Sequence, residues 1–196
     1  MIKQKDMQVF EILDELEKIV DVDNKVEWLV ENFSDHTPLQ YILKWNFCDS
    51  VNSVIPEGKP PFNEEEQDGP SRSSLWMYLN VFPVFVVSAQ SQKMQALKRE
   101  QIFIEMLESL DNKEAELVCL AKDKMLTDKW GISLEVAQRA FPALAITTKR
   151  EFKVKELTPE EKAAALLDQA TQLKEKAKEL NAEAKRLTTE AKKLAS

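Results

Sequence analysis

Apolar residues in the stretch 7–20 recur as Val9, Ile12, Leu13, Leu16, Ile19 and Val20, which is one face of an amphipathic helix. A second helix is predicted over 24–33, with Val26, Leu29, Val30 and Phe33 turned inward. Thr37-Pro38 reads as an N-cap and first-turn proline opening a third helix through LQYILKWNF. Val51, Val54 and Ile55 fit a short fourth. The apolar, aromatic stretch Leu75–Val87 predicts a helix over 74–82 that Pro83 ends or kinks, followed by a buried segment able to run extended. Helical spacing returns over 92–110, with Leu97, Phe103, Ile104, Leu107 and Leu110 on one face. Asp111-x-x-Glu114 has the spacing of a capping box for a helix running to Leu126. Gly131 permits a turn, Ser133 can cap, and LEVAQRAF forms a short helix stopped by Pro142.

The C-terminal pattern is different in kind. Thr158-Pro159-Glu160-Glu161 combines an N-cap threonine, a first-turn proline and early glutamates. Alanine then recurs at Ala163, Ala170, Ala177, Ala184 and Ala191, and leucine at Leu166, Leu173, Leu180, Leu187 and Leu194. Each series steps by seven and the two are offset by three, which is the a/d seam of a coiled coil. A repeat of 3.5 implies left-handed supercoiling against a partner helix. At 1.5 Å per residue the helix from 159 to 195 would be about 55 Å long, more than a small domain can cover. The small alanines favour a closely approaching pair, antiparallel pairing included.

Composition agrees with helices. Glycine occurs only three times in 196 residues, whereas hairpins and phosphate loops draw on glycine at positive φ. Residues Pro56–Ser74 hold four prolines, two of the three glycines and the run Glu64-Glu65-Glu66, so they read as a surface loop. The net charge of −7 is unevenly spread: residues 157–196 carry 8 basic and 7 acidic side chains, residues 1–156 carry 19 and 27. An acidic body repels a phosphate backbone unless its cations cluster on one face.

Chemistry-bearing motifs are sparse. Cys48 and Cys119 lie 71 positions apart in apolar stretches and read as buried reduced thiols, without metal-ligand spacing. His36, the single histidine, reads as a surface residue near a helix start. Acidic pairs such as Asp21 and Asp23 read as solvated surface, and no glycine-rich phosphate loop occurs. Trp28, Trp45, Trp76 and Trp130 read as core or as one exposed contact patch. The N-terminal MIKQKDMQ lacks the apolar stretch of a signal peptide. The longest apolar run, Val81–Val87, is far short of the roughly 20 residues a membrane span requires. These observations predict no enzyme, no metal and no cofactor.

The segments LQYILKWNF, IPEGKPPF, KREQIFIEMLESLDNKEAELVCLAKDK and GISLEVAQRAFPAL together resemble a family of uncharacterised helical proteins of tailed bacteriophages. More remotely, their order over residues 8–145 is similar to the N-terminal helical DNA-binding domain of ATP-dependent DNA ligases. That resemblance implies a DNA-backbone contact at Gly131-Ile132-Ser133 and Phe141-Pro142. A helix N-terminus opened by Gly131 and capped by Ser133 also offers N–H groups to a phosphate, with Lys129 and Arg139 to flank it. Ligase chemistry itself is excluded. Its nucleophilic lysine sits in Lys-x-Asp-Gly, and the one Asp-Gly here, Asp68-Gly69, has Glu66 in that place.

The expected architecture is all-α: a compact multi-helix domain over 1–145, a polar linker over 146–157, and one long coiled-coil helix over 158–196. The expected function is that of a phage structural or adaptor protein, acting in the host cytoplasm or the virion, neither secreted nor in a membrane. It would pair through residues 158–196 with itself or another helical protein and bind a partner through its helical domain. The alternative is a non-catalytic DNA-binding accessory of phage replication, repair or transcription, which the acidic domain disfavours.

Overall fold

A computed structural model of the chain describes residues 7–63 and 73–152, and within the C-terminal segment residues 158, 160, 163, 164, 166, 167, 170, 171, 173–175, 177, 178, 180, 181, 184 and 185. Every regular element among them is a helix. The body runs α1 Val9–Lys18, α2 Val22–Phe33, α3 Thr37–Phe47, a 3-10 turn Leu75–Tyr78, α4 Phe82–Phe85, α5 Ala89–Gln92, α6 Ala96–Ser109, α7 Asn112–Lys122, α8 Leu126–Trp130, α9 Leu134–Ala140 and a second 3-10 turn Pro142–Leu144. The segment from Glu156 onward belongs to a separate compact unit.

Helix α7 is the centre of the body and touches α3, α6 and α8. Its Ala115, Leu117, Val118, Cys119 and Ala121 are all buried, so it is apolar over most of its circumference, as an enclosed helix must be. The two charged residues it buries lie at its ends with the signs the helix dipole favours: Glu114 in the first turn and Lys122 in the last. Lys122 donates to the carbonyls of Pro56 at 2.7 Å and Gly58 at 3.1 Å, and so ties down the loop after α3. Around α7 the aromatic core is continuous. Phe85 stacks on Trp45 with ring centroids 6.4 Å apart and meets Phe103 edge-on at 5.1 Å.

Several local expectations differ from the structure. Residues 51–55 form no helix. Val54 N–H donates to Phe85 O at 2.9 Å and Val87 N–H to Asn52 O at 2.8 Å, giving an isolated antiparallel bridge between Ser53 and Val86. The β-branched residues of that stretch fit the extended backbone better than a helix. Pro83 does not end a helix but lies in the first turn of α4, where its missing N–H costs no hydrogen bond. The span 92–110 is divided by a turn: Ser88 and Ser91 form a reciprocal capping box on α5, and α6 starts afresh at Ala96. Leu97 and Val30, both expected inside, are 77% and 44% exposed. The helix expected to reach Leu126 stops at Lys122, and Lys124 takes a left-handed φ of 65° before α8 begins.

Lys124 turns that strain into a cap. Its ammonium donates to the carbonyls of Trp45, Cys48 and Val51, in the last turn of α3 and the residues that follow it. Burial, and then the Arg150 charge, bring its pKa down to about 8. Part of the expected linker is anchored as well. Asp49 accepts from Lys149 N–H at 2.7 Å and from Thr148 at 3.0 Å, and Phe152 meets Phe47 edge-on at 4.8 Å.

Candidate interaction sites

Both charged residues expected to meet a phosphate, Lys129 and Arg139, have carboxylate partners within the chain. Lys129 pairs with Glu116 and lies 4.7 Å from the Trp130 ring centroid. Arg139 donates to Glu135 Oε1 at 3.0 Å and also pairs with Asp23. Gly131 supplies the left-handed C-cap of α8 with φ 59°, and Ser133 Oγ accepts Val136 N–H at 3.2 Å to cap α9. Gln138, on the same helix, donates to Ile146 O.

A second site follows from two residues whose sequence roles were read otherwise. Glu114, expected to complete a capping box with Asp111, instead reaches across to α1, where its Oε1 accepts Val9 N–H at 3.0 Å. Asp111 still caps α7 through Lys113 N–H at 2.8 Å. Glu114 Oε2 is buried without a donor. Burial pushes its pKa up, reinforced by Asp111 and Glu11 and opposed by the Val9 bond, to about 7.

His36, expected at the surface, is buried and takes the N-cap position of α3 that Thr37 was expected to hold. Its Nδ1 accepts Leu39 N–H at 3.2 Å, and Nε2 lies 3.1 Å from Met7 O. An Nδ1 facing an N–H must be the unprotonated nitrogen, which leaves Nε2–H to donate to the carbonyl. The ring is therefore neutral in this arrangement, and burial lowers its pKa despite the Met7 bond. Trp76 meets His36 edge-on at 5.1 Å and stays 43% exposed. Of the four tryptophans, Trp45 and Trp130 are core, both 2% exposed, Trp28 is half-buried, and Trp76 is the most exposed.

Glu114, His36 and Trp76 line one cleft of about 740 Å³, bounded by Met7–Val9, the end of α2, the start of α3 and the first 3-10 turn. Exposed Glu31 and Asp35 stand at its edge. Among the described residues no group of three or more His, Cys, Asp or Glu side chains converges to hold a metal ion. No described helix is long and apolar enough to cross a membrane.

Cys48 and Cys119 are both buried and form no disulfide. Burial pushes the Cys48 thiol up, but hydrogen bonds with Ser50 and Thr147 outweigh it and bring its pKa to about 7. Burial drives Cys119 up to about 11 against the pull of Lys122.

In the C-terminal unit, Ala163, Leu166, Ala170, Leu173, Ala177, Leu180 and Ala184 all occupy helical, exposed positions. Leu187, Ala191 and Leu194 lie outside the described residues.

A family of unknown function, DUF6433, matches the chain over residues 12–128, more than half its length. The chain belongs to the DUF6433 family. The DUF6433 match takes in the cleft residues His36, Trp76 and Glu114, whereas the Lys129–Arg139 corner and the heptad helix lie beyond it. No curated protein sequence matches the chain.

Proposed function

We propose that this DUF6433 chain is a non-enzymatic adaptor of a tailed phage that assembles through its C-terminal helix and holds a partner on its helical body. The observation supporting assembly is the leucine row. Leu166, Leu173 and Leu180 stand seven residues apart at helical positions and are 55%, 66% and 66% exposed. Covering such a side chain contributes roughly 1.5–3 kcal/mol, so a seam of five leucines supplies the driving force.

The occupant is a second copy, and charge favours running it antiparallel. With Ala163 at a, the g positions read Lys162, Gln169, Lys176, Glu183 and Glu190, basic in the first half and acidic in the second. Parallel copies would set these against the e positions Leu167, Lys174, Asn181 and Thr188, with no opposite charges facing. Antiparallel copies bring g against g, and Lys176 faces Glu183 of the partner subunit, twice over. Alanine at a permits the close approach such a pair needs. The C-terminal segment, with 8 basic and 7 acidic residues, meets little repulsion from its copy. Lys129 and Arg139, already matched by carboxylates, give the DNA-binding alternative no support.

The intact chain should therefore run as a dimer in light scattering, and Leu173→Glu/Leu180→Glu as a monomer with an unchanged near-ultraviolet spectrum. A monomeric intact chain, or a variant that still dimerises, would remove the assembly reading.

A further inference from the structure

The cleft around Trp76 has an unusual electrostatic make-up. Glu31, Asp35 and Glu114 line it, and no described lysine or arginine does. One of these carboxylates, Glu114, is 1% exposed and has an oxygen without a donor. Buried carboxylates are ordinarily matched by hydrogen bonds or an opposite charge, and Glu114 Oε2 has no hydrogen-bond donor. His36 does not supply the opposite charge, because its Nδ1 is occupied in accepting the Leu39 N–H. A ligand that brings positive charge is the one best matched to a cleft lined by Glu31, Asp35 and Glu114.

The arrangement also selects the kind of cation. A metal ion needs several oxygens converging within coordination distance, and no such group occurs among the described residues. An organic cation needs less convergence. Its charge is spread, its body is apolar, and it gains by lying against an aromatic ring. Trp76, held edge-on by His36 and 43% exposed, presents such a ring beside the carboxylates. A volume of about 740 Å³ admits a long side chain or a small polyamine.

We propose that this cleft binds an organic cation, an alkylammonium or guanidinium group, with Trp76 supplying the ring it lies against and Glu31, Asp35 and Glu114 the counter-charge. The proposal is independent of the coiled-coil pairing. The cation neutralises the cleft, and binding favours ionised Glu114. The charged and titratable groups around that carboxylate are Glu11 from α1, Asp111 ahead of α7, Glu31 and Asp35 from the α2 side, and His36. The histidine is already neutral above pH 6.5, so affinity rises through the ionisation of Glu114.

The test is titration of the full chain with N-acetylarginine amide, N-acetyllysine amide and spermidine, read from the backbone amide shifts of His36, Leu75 and Glu114. Saturable shifts are expected, with affinity increasing from pH 6 to pH 8. Trp76→Ala should weaken binding about three- to tenfold, and Glu114→Gln should remove the increase with pH. Saturation by the two amino-acid amides alone assigns the cation to a protein side chain. Saturation by spermidine alone assigns it to a polyamine, and either result supports the proposal. Absence of saturable shifts with all three, or affinities unchanged in both variants, overturns it.

Discussion

Phe85→Ala is expected to lower the unfolding free energy of the helical body by about 3–5 kcal/mol, the range for emptying a buried aromatic site. The residue is fully buried, and its ring joins three others: Trp45 at 6.4 Å, Phe103 at 5.1 Å and Phe82 at 6.5 Å. These come from α3, α6 and α4, so one truncation opens a void that no single helix can collapse to fill. Its backbone is also committed, since Phe85 O accepts Val54 N–H at 2.9 Å beside the Ser53–Val86 bridge. Urea unfolding followed by tryptophan fluorescence, with the denaturant dependence unchanged, measures the loss. Leu97→Ala is the matching control. It removes a leucine that is 77% exposed and should change stability by less than about 0.5 kcal/mol. Equal losses in the two variants would mean that the core is not centred on Phe85.

That contrast marks how far the sequence pattern reaches. Thr37-Pro38 marked the start of α3, and periodicity placed α1 and the core positions Phe103 and Leu107 of α6, because each of these buries a face against a neighbour and the repeat of that face is local information. It failed at Leu97 and Val30, where the apolar stripe extends past the neighbour that covers it. Pro83 illustrates a different ambiguity. A proline closes one helix or opens the next with the same chemistry, and only the packing of Phe82 and Phe85 decides which. The seven-residue repeat at the C-terminus can be counted without tertiary context, and its pairing is what the light-scattering comparison tests.

The cleft was not legible, for a physical reason. Glu114 acquires its role from Val9, 105 positions away, and His36 from Met7, 29 positions away. Each residue also satisfies a local pattern, a capping box for one and a helix start for the other, and the local pattern hides the long-range use. Lys124 shows the same limit, because nothing in its neighbourhood announces a non-glycine residue at φ 65° capping a helix nearly 80 positions upstream.

The second large effect is the pH dependence of stability that Glu114 imposes. Its pKa in the folded chain is about 7, against 4.5 for an ordinary glutamate. The folded state therefore binds the proton more tightly than the unfolded chain. Its contribution is fully present below pH 4.5 and is lost as pH rises through 7, amounting to about 3 kcal/mol by pH 8. His36 acts in the opposite sense. Its pKa is lowered by burial, so its contribution is complete above pH 6.5 and is lost as pH falls through the folded value. Between pH 4.5 and 6.5 the two partly cancel, and the stability of the native chain alone would mask both. Glu114→Gln separates them. Glutamine keeps a carbonyl to accept Val9 N–H but cannot ionise, and the His36 contribution is common to both proteins. The amide places an N–H₂ where Oε2 has no donor, an offset that does not vary with pH. The stability of Glu114→Gln relative to the native chain should thus climb by about 3 kcal/mol between pH 4.5 and 8, whichever protein is the more stable at the acid end. Urea unfolding of both proteins at half-unit steps of pH measures that difference. A constant offset across the range would mean that Glu114 ionises in the folded chain as it does in the unfolded one, and its burial without a counter-charge would then have no energetic consequence.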